Sequence, residues 1–289
     1  MLRPFELSLP KTLDEALDTY ERLGPDCKIV AGGTDVFVEM HSGKFETKQI
    51  MSIIAVKELE GIREENDKVI IGPLTTHNEV DKSPLIQKLF PGLCDGSTQV
   101  GSLQTRVRGT LGGNICNAVP SGDTLSPLLT LDTQLVLAKK GSTRTVAFGE
   151  FFLGAKKTVL EPGELLVSII IPKPYANSSS GYIKFGRRKA MDLALLGAAA
   201  SVTLSEDRKT FKEVKIGLTT SAPVPMYALN ASSYLTDKQV SDEIIKEAGR
   251  IASSEAKSRS SWRCSAEYRH EILKVIVPQA INRALQRIK

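Results

Sequence analysis

Two glycine pairs followed by small polar residues are the features of this sequence that most directly suggest chemistry. The first pair lies in AGGTD at residues 31–35, and the second lies in RGTLGGN at residues 108–114. A Gly-Gly pair lets the backbone adopt left-handed conformations and lets another molecule approach the main chain closely. Free amide N–H groups in such a bend form a concave anion site. Two such sites in one chain suit a ligand with two adjacent phosphates, and flavin adenine dinucleotide (FAD) is one.

The second motif is more specific than a glycine pair alone, because polar residues continue beyond it. Asn114, Asn117 and Asp123 add amides and a carboxylate to the hydroxyl of Thr110. A purely structural loop needs one or two such residues. The common nucleotide fingerprints, G-x-G-x-x-G after a first strand and G-x-x-x-x-G-K-[ST], are absent. A simple Rossmann or P-loop site is therefore excluded, whereas dinucleotide binding by another fold is not.

Other residue types that could do chemistry are scattered. The three histidines, which we expect at surface or capping positions rather than in a metal site, are His41, His77 and His270. No C-x-x-C pair occurs, which argues against a zinc or iron–sulfur site held by this chain alone. The cysteines, which we expect to be free thiols in a reducing cytoplasm, are Cys27, Cys94, Cys116 and Cys264. No metal ligands and no acid–base or nucleophilic constellation are predicted.

Length and composition indicate an ordinary globular protein of two domains. The chain has 289 residues and a formal net charge of +5, and no basic stripe alternates with aromatic residues. We therefore expect no nucleic-acid partner. The first residues lack the pattern of a secretory signal, and no run of about eighteen apolar residues would span a membrane. These patterns predict a cytoplasmic protein.

The elements that must position the first glycine pair are predicted from local signals. Thr12 and Glu15 form a capping box, and the helix that follows should end near Gly24. Residues 27–30 form a short buried strand that ends at AGGTD, and residues 36–40 form a helix or an extended segment. Strands at 50–54 and 69–71 are separated by a polar turn at 64–68.

The second glycine motif is preceded by helices and followed by strands. A capping box at Thr76 opens a helix, and another helix at 84–94 is broken near Pro91. Residues 134–138 and 143–148 form a hairpin, and residues 165–171 form an apolar strand.

The last part of the chain predicts a small antiparallel sheet with helices. Residues 173–181 are rich in Pro, Ser and Gly and indicate a linker. Three strands are predicted at 182–189, 195–204 and 211–219. A capping box at Thr236 predicts a helix to about Ala256, and a last helix at 268–288 should be kinked or broken at Pro278.

Four segments in a fixed order identify a family resemblance. AGGTD at 31–35, RGTLGGNICNAVPSGD at 108–123, GELLVSIIIP at 163–172 and YIKFGRRKAMDLA at 182–194 resemble the FAD-binding (medium) subunit of the molybdenum hydroxylases, the family of xanthine dehydrogenase and carbon monoxide dehydrogenase. The resemblance implies an α+β fold. Residues 1–175 would form a two-part FAD-binding domain of the vanillyl-alcohol-oxidase/PCMH type, with subdomains at about 1–55 and 56–175. Residues 176–289 would form a C-terminal domain of the CO dehydrogenase flavoprotein type, with a three-stranded antiparallel sheet and helices.

The resemblance also implies which residues contact FAD. The first bend would hold the diphosphate and ribityl region, and the second motif would complete the diphosphate site. Asp123 would accept a hydrogen bond from a ribityl or adenosine hydroxyl, and Leu166 and Lys184 would lie near the flavin or adenine. The complete set implied by the resemblance is Ile29, Val30, Ala31, Gly32, Gly33, Thr34, Asp35, Thr110, Gly112, Gly113, Asn114, Asn117, Asp123, Leu166 and Lys184.

By the same resemblance, the chain is an oxidoreductase subunit of a heteromeric complex. A large partner subunit would carry molybdopterin, and a small partner subunit would carry [2Fe–2S] clusters that deliver electrons to this FAD. NAD(P)⁺ or another acceptor would then receive them. Two alternatives remain open at this point: a self-sufficient FAD oxidoreductase of the same fold, such as an aryl-alcohol oxidase or the enolpyruvyl reductase of wall synthesis, and a non-enzymatic assembly module.

Overall fold

A small parallel sheet forms the start of the chain in the computed structural model, which describes residues 3–288. Its strands lie in the order β1–β3–β2, and both pairings are parallel. The elements of this region are β1 (Glu6–Ser8), α1 (Leu13–Leu23), β2 (Lys28–Val30), α2 (Val36–His41) and β3 (Gln49–Ser52). The bend at residues 31–35 therefore connects the end of β2 to the start of α2, as predicted.

Helix α1 begins and ends where its sequence predicts. The Thr12 hydroxyl accepts a hydrogen bond from the amide of Glu15, and Gly24 ends the helix with a φ of +74°. The Glu15 carboxylate accepts from the amide of Lys11 rather than from that of Thr12. One half of the expected capping box is therefore formed.

A five-stranded antiparallel sheet follows, in the order β4–β5–β10–β6–β7. Its strands are β4 (Ile62–Glu65), β5 (Lys68–Ile71), β6 (Gln134–Lys139), β7 (Ser142–Ala147) and β10 (Leu165–Pro172). The hairpin of β6 and β7 and the strand β10 confirm the predictions. The prediction of a polar turn at 64–68 is wrong in part, because most of that segment pairs in the β4–β5 hairpin. Charged side chains are common on such an edge strand, and they concealed it in the sequence.

Between β5 and β6 the chain forms six short helices. They are α3 (His77–Lys82), α4 (Pro84–Leu89), α5 (Pro91–Thr98), α6 (Leu103–Arg106), α7 (Leu111–Asn117) and α8 (Leu125–Leu129). A complete capping box at Thr76 starts α3, and the break at Pro91 separates α4 from α5, as predicted. The second glycine motif thus covers the approach to α7 and its first turn. A small hairpin of β8 (Phe152–Gly154) and β9 (Lys157–Thr158) follows β7.

The C-terminal sheet has four strands rather than the predicted three. Their order is β11–β12–β13–β14, and all neighbours are antiparallel. The strands are β11 (Ser178–Phe185), β12 (Leu196–Leu204), β13 (Phe211–Thr219) and β14 (Met226–Tyr227). The predicted linker is shorter than expected, because Ser178–Gly181 already pairs with β12. A two-residue strand such as β14 has no periodicity for a sequence analysis to detect.

Three helices complete the chain: α9 (Leu229–Leu235), α10 (Asp242–Glu255) and α11 (Ala266–Leu285). The helix predicted to begin at Thr236 is wrong at that end. Thr236 follows the end of α9, and Ser241 caps α10 instead. The α11 helix continues through Pro278, although a break or kink was expected there. Gly249 of α10 faces that proline, and a Cβ at Gly249 would lie 2.7 Å from Pro278 Cδ.

Close packing joins the C-terminal sheet to the helices before it. The Gly92 amide donates to the Ser180 hydroxyl of β11 at 3.0 Å. Arg287, just after α11, makes two hydrogen bonds to the Asp95 carboxylate of α5 at 2.7 and 2.9 Å. These contacts place the face of β11 that bears Tyr182 and Lys184 against the segment that follows α7. Among residues 3–288, no helix is both long and apolar enough to cross a bilayer.

Candidate functional site

The two glycine bends contact each other directly, although about seventy residues of sequence separate them. A Cβ on Gly32 would lie 1.9 Å from the carbonyl oxygen of Arg108 and 3.1 Å from Cα of Gly109. A Cβ on Gly109 would lie 3.4 Å from the hydroxyl oxygen of Thr34. No side chain larger than hydrogen fits at Gly32 unless the bends separate, since real Cβ atoms do not approach a carbonyl so closely. The structure therefore brings the two sequence motifs into one site.

The first bend presents a row of free main-chain donors. Within residues 3–288, the amides of Gly32, Gly33, Thr34 and Asp35 donate to no protein acceptor. Gly33 has a φ of +73°, which is a conformation that glycine adopts without strain. The Phe37 ring lies 2.7 Å from where a Cβ on Gly33 would be. Consecutive unpaired amides in a left-handed bend are the arrangement that binds anionic oxygens.

The second bend differs from the expectation that both bends present free amides. The amides of Leu111 and Gly112 donate to the carbonyl oxygens of Thr75 and Pro73, both at 2.9 Å. The amide of Gly113 donates to the Thr110 hydroxyl at 3.0 Å, and that of Asn114 donates to the Thr110 carbonyl. The main-chain donors of the site are therefore concentrated in the first bend.

The glycines of the second bend contribute shape instead. A Cβ on Gly112 would collide with Pro73 at 2.4 Å, so this glycine is required by packing inside the protein. A Cβ on Gly113 would meet nothing within 4 Å except the Thr110 hydroxyl at 2.9 Å. Gly113 is half-buried, and it leaves space beside the bends that a side chain would fill.

Two asparagines on α7 lie at the margins of the same region. The Asn114 side-chain oxygen accepts a hydrogen bond from the Thr124 hydroxyl at 2.8 Å, so the asparagine is held in position. Burial raises the pKa of Asp35, Glu39 adds to the rise, and Lys156 and the Asn117 side chain oppose it. Asn117, at the end of α7, therefore lies close to the first bend.

The predicted residues Asp123 and Lys184 form a buried ion pair. Lys184 Nζ lies 2.8 Å from Asp123 Oδ2, and the two side chains are 8% and 6% exposed. The Tyr182 hydroxyl donates to Asp123 Oδ1 at 2.8 Å. Burial raises the pKa of Asp123 to about 6, and the Lys184 ammonium and the Tyr182 hydroxyl limit that rise. Each oxygen of this carboxylate already has a protein donor and keeps one lone pair for a ligand hydroxyl.

Lys184 has no remaining donor for a ligand. Its ammonium also donates to the carbonyl oxygens of Gln99 at 2.9 Å and of Asp192 at 2.7 Å. An ammonium has three donors, and protein acceptors take all of them. The structure therefore gives Lys184 the task of holding Asp123 and the segment around Asp192.

The remaining predicted residues support the site from behind. Val30 is buried, and the Ile29 and Ala31 side chains pack against the apolar cluster under the small parallel sheet. Leu166 is 5% exposed and belongs to the main core of the five-stranded sheet. These side chains pack beneath the end of β2 and the start of β10.

His77 is a residue of the site that the sequence analysis did not include. Its amide donates to the carbonyl of Gly109 at 3.1 Å, and its ring lies 3.5 Å from where a Cβ on that glycine would be. The side chain is 1% exposed, and Nδ1 has no partner in the described chain. Burial lowers the pKa of His77 to about 4, and Arg106 contributes to the decrease, so the imidazole is neutral at pH 7. His77 follows the Thr76 cap at the start of α3, which agrees with the expected capping position. It is buried rather than exposed, and no local signal in the sequence predicts that burial.

Metal coordination finds no support in residues 3–288, since no three His, Cys, Asp or Glu side chains there are placed to hold an ion.

Tyr182, which binds Asp123, is a second residue near the site that the sequence analysis did not include. Its spacing of two from Lys184 on a strand could have indicated it, because residues i and i+2 share one face of a sheet.

The donors and the free space fit the diphosphate of FAD. The first bend contains four consecutive amides without a protein acceptor in the described chain, and main-chain donors of this kind can satisfy phosphate oxygens without a lysine or arginine. Asp123 lies in the turn between α7 and α8, and a hydroxyl is a suitable partner for its carboxylate.

Comparison with known sequences divides the chain into two matched segments. Residues 3–174 match the family described as the FAD binding domain in molybdopterin dehydrogenase. Residues 181–284 match the CO dehydrogenase flavoprotein C-terminal domain.

Similar proteins match along nearly their whole length. The carbon monoxide dehydrogenase medium chain of Hydrogenophaga pseudoflava is 31% identical over 283 residues, which cover 98% of each chain. A putative xanthine dehydrogenase FAD-binding subunit of Escherichia coli is 30% identical over 263 residues, covering 90% of this chain and 89% of that protein. A solved structure of carbon monoxide dehydrogenase from Hydrogenophaga pseudoflava, which lacks the Mo-pyranopterin moiety of the molybdenum cofactor, superposes with a TM-score of 0.94 at 31% identity over 99% of each chain.

Proposed function

The chain belongs to the family of FAD-binding subunits of molybdopterin dehydrogenases, and we propose that it carries FAD at the two joined glycine bends and transfers electrons within a molybdenum hydroxylase complex. The observation that carries this proposal is the row of unpaired amides from Gly32 to Asp35, held against the second bend. FAD, when bound, supplies the exchange of one or two electrons. The protein supplies binding, orientation and a defined electrostatic environment.

The residues of this chain would divide that task. The Gly32–Asp35 amides would donate to the diphosphate oxygens, where a charge-assisted hydrogen bond is worth about 1.5–3 kcal/mol. The open surface at Gly113 would let the cofactor lie against the backbone of α7. Asp123, held by Tyr182 and Lys184, would accept from a sugar or ribityl hydroxyl. The other residues implied by the resemblance would shape the site without side-chain contact.

The partners proposed for this subunit follow from its family. A large subunit would hold the molybdopterin centre, where substrate is oxidised, and a small subunit would carry [2Fe–2S] clusters that deliver electrons to this FAD. NAD(P)⁺ or another acceptor would then receive them. The relatives named as medium chain and FAD-binding subunit support this assignment. We also propose a cytoplasmic location, which the four unpaired cysteines support.

We further propose two domains, at residues 1–175 and 176–289, with the first divided near residue 55. Separate apolar clusters support the boundary near residue 175, since one lies under the five-stranded sheet and another lies between the C-terminal sheet and helices α9 to α11. A third cluster lies under the small parallel sheet and also contains Leu59, Leu74 and Leu165, so it joins the two parts of the first domain.

Purification of the chain with its natural partners tests the function. We expect a heteromer with one FAD per copy of this chain, together with iron and molybdenum bound to the other subunits. Oxidation of a hydroxylase substrate should bleach the flavin absorbance in the complex and not in the isolated chain. Flavin reduction by a small substrate in the isolated chain would instead indicate a self-sufficient oxidoreductase. Absence of a flavin spectrum after addition of FAD would indicate an assembly module.

A further inference from the structure

Trp262 is exposed to solvent on the C-terminal domain, between two arginines. Its side chain is 80% exposed, although an indole is normally at least partly covered. The guanidinium carbons of Arg187 and Arg263 lie 5.1 and 5.2 Å from the indole ring. These distances are typical of cation–π contacts. We define the tryptophan patch as Trp262 together with the basic side chains of its two loops: Arg187, Arg188, Lys189, Lys257, Arg259 and Arg263.

The excess positive charge of the chain is located in the two loops that form this patch. Residues 186–193 and 257–264 contain six basic side chains and one acidic side chain, an excess equal to the +5 of the whole chain. Among the described residues, Arg188 and Asp192 form the one ion pair within these loops, at 3.7 Å. No carboxylate within 4 Å neutralises Arg187, Arg259 or Arg263 in the described chain. The tryptophan patch therefore combines an exposed aromatic ring with a local excess of positive charge.

Hydrogen bonds fix both loops to the body of the domain. The buried Arg269 donates to the carbonyl of Leu195 and to the Ser261 hydroxyl just before Trp262. The Asp192 carboxylate accepts from the amides of Arg187 and Arg188, at 2.5 and 3.1 Å. The residue just before Trp262 and the backbone of Arg187 are thus held to the body of the domain.

The tryptophan patch is connected directly to the proposed FAD site. The carbonyl of Asp192 accepts from Lys184, which also donates to Asp123. The amide of Met191 donates to the carbonyl of Gly101 at 3.1 Å, so the same loop lies against the segment that leads to the second glycine bend. The same loop therefore contacts the Asp123–Lys184 pair of the proposed FAD site and, through Arg187, the indole of the tryptophan patch.

We propose that the tryptophan patch binds the adenosine diphosphate half of the nicotinamide dinucleotide that accepts electrons from FAD. This inference rests on the proposed function. An adenine ring has a flat π surface that stacks on an indole, and guanidinium groups bind phosphate oxygens in a two-point geometry. A neutral acceptor would gain nothing from six cations, whereas the diphosphate of the dinucleotide carries two negative charges. The charge and the exposed indole together favour the dinucleotide over a neutral acceptor.

The tryptophan itself provides the assay, because Trp262 is the single tryptophan of the chain. Excitation at 295 nm therefore reports on the tryptophan patch alone. We expect ADP-ribose, which has no nicotinamide, to quench this fluorescence saturably in the FAD-loaded chain. The double variant Arg187→Gln/Arg263→Gln should weaken ADP-ribose binding by about tenfold or more. Arg250→Gln is the matched control, since it removes an exposed arginine that pairs with Glu247 on α10 and lies outside the two loops.

A second readout uses NADH, which bleaches the flavin absorbance when it reduces the cofactor. Trp262→Ala should raise the NADH concentration for half-maximal rate by about tenfold and leave the rate at saturation unchanged. A structural defect in the flavin site would instead lower the rate at saturation or the flavin content.

Three results would overturn the inference. ADP-ribose could leave the fluorescence unchanged, the variants could be reduced by NADH exactly as the wild type is, or only a partner subunit could quench Trp262. In each case the flavin spectrum of the chain would still support the proposed function. Failure to bind FAD at all would contradict the proposed function first, and the inference with it.

Discussion

A substitution at Gly113 should affect FAD binding far more than it affects the stability of the fold. A side chain at this position would enter open space beside the bends, because only the Thr110 hydroxyl lies within 4 Å of its Cβ. We predict that Gly113→Val folds with a stability loss of at most about 2 kcal/mol, yet binds FAD at least about a hundredfold more weakly, which is about 3 kcal/mol of binding free energy. Flavin absorbance after dialysis and urea denaturation measure the two effects.

Gly32→Ala is the matched control for that variant. Its Cβ would lie 1.9 Å from the Arg108 carbonyl oxygen, so the two bends must separate. We expect this smaller substitution to reduce stability by several kcal/mol, more than Gly113→Val does. If Gly113→Val retained full flavin occupancy, the placement of the cofactor against α7 would be wrong.

Protonation of His77 should reduce the free energy of unfolding at acidic pH, because this histidine is buried in the neutral form. Burial lowers the pKa of His77 from its ordinary value of 6.5 to about 4 in the folded chain. Because the unfolded chain takes up the proton first, this contribution is fully present above pH 6.5 and is lost progressively as the pH falls from 6.5 to the folded pKa of about 4. The loss should be about 2 kcal/mol between pH 7 and pH 5. Because Gln does not titrate, the stability difference between wild type and His77→Gln should shrink by that amount, as measured by urea denaturation at both pH values. A difference independent of pH would show that His77 titrates normally.

Residue types alone predict part of the site. Both glycine bends follow from their sequence, since Gly-Gly before small polar residues is a local signal. The acceptors of the second bend do not, because Pro73 and Thr75 lie more than thirty residues away. The acceptors of Lys184 include Gln99 and Asp123, which are also distant in sequence, so the sequence could not show that all three N–H donors of this lysine are bound by protein acceptors.

At the scale of elements, the tether between β11 and the segment after α7 joins the two halves of the chain. Lys184 holds the carboxylate of Asp123 and the carbonyls of Gln99 and Asp192. We predict that Lys184→Met reduces stability by about 3–5 kcal/mol, because it leaves a buried carboxylate unpaired.

Its control is the double variant Asp123→Asn/Lys184→Met. Removing the charge should recover more than half of the lost stability in urea denaturation, since a neutral amide costs less to bury. An equal loss in the single and double variants would show that the lysine acts through packing of its carbon chain.

Local capping signals predicted some helix starts and not others. Thr12 and Thr76 are followed by a glutamate three residues on, and both cap helices. Thr236 is followed by Gln239, but it ends α9 instead, and α10 begins after Ser241. The end of α9 is a feature of the fold that the capping pattern at Thr236 does not show. The edge strand β4 was missed because its charged residues resemble a turn.

At the scale of the whole molecule, the order of sequence motifs predicted the fold class and the family, but not the arrangement of the two halves. The contacts of Asp95 with Arg287 and of Asp123 with Lys184 join residues 192 and 61 positions apart. These contacts hold β11 and the end of α11 against the helical region between β5 and β6. Long-range pairs of this kind depend on packing, and a single sequence does not specify them.

The most direct test of the account is an experimental structure of the chain with FAD bound. We predict that diphosphate oxygens lie about 2.7–3.1 Å from the amide nitrogens of the bend from Gly32 to Asp35, with the cofactor passing over Gly113 toward Asp123. A diphosphate bound elsewhere, with these amides facing water or other protein groups, would contradict the account.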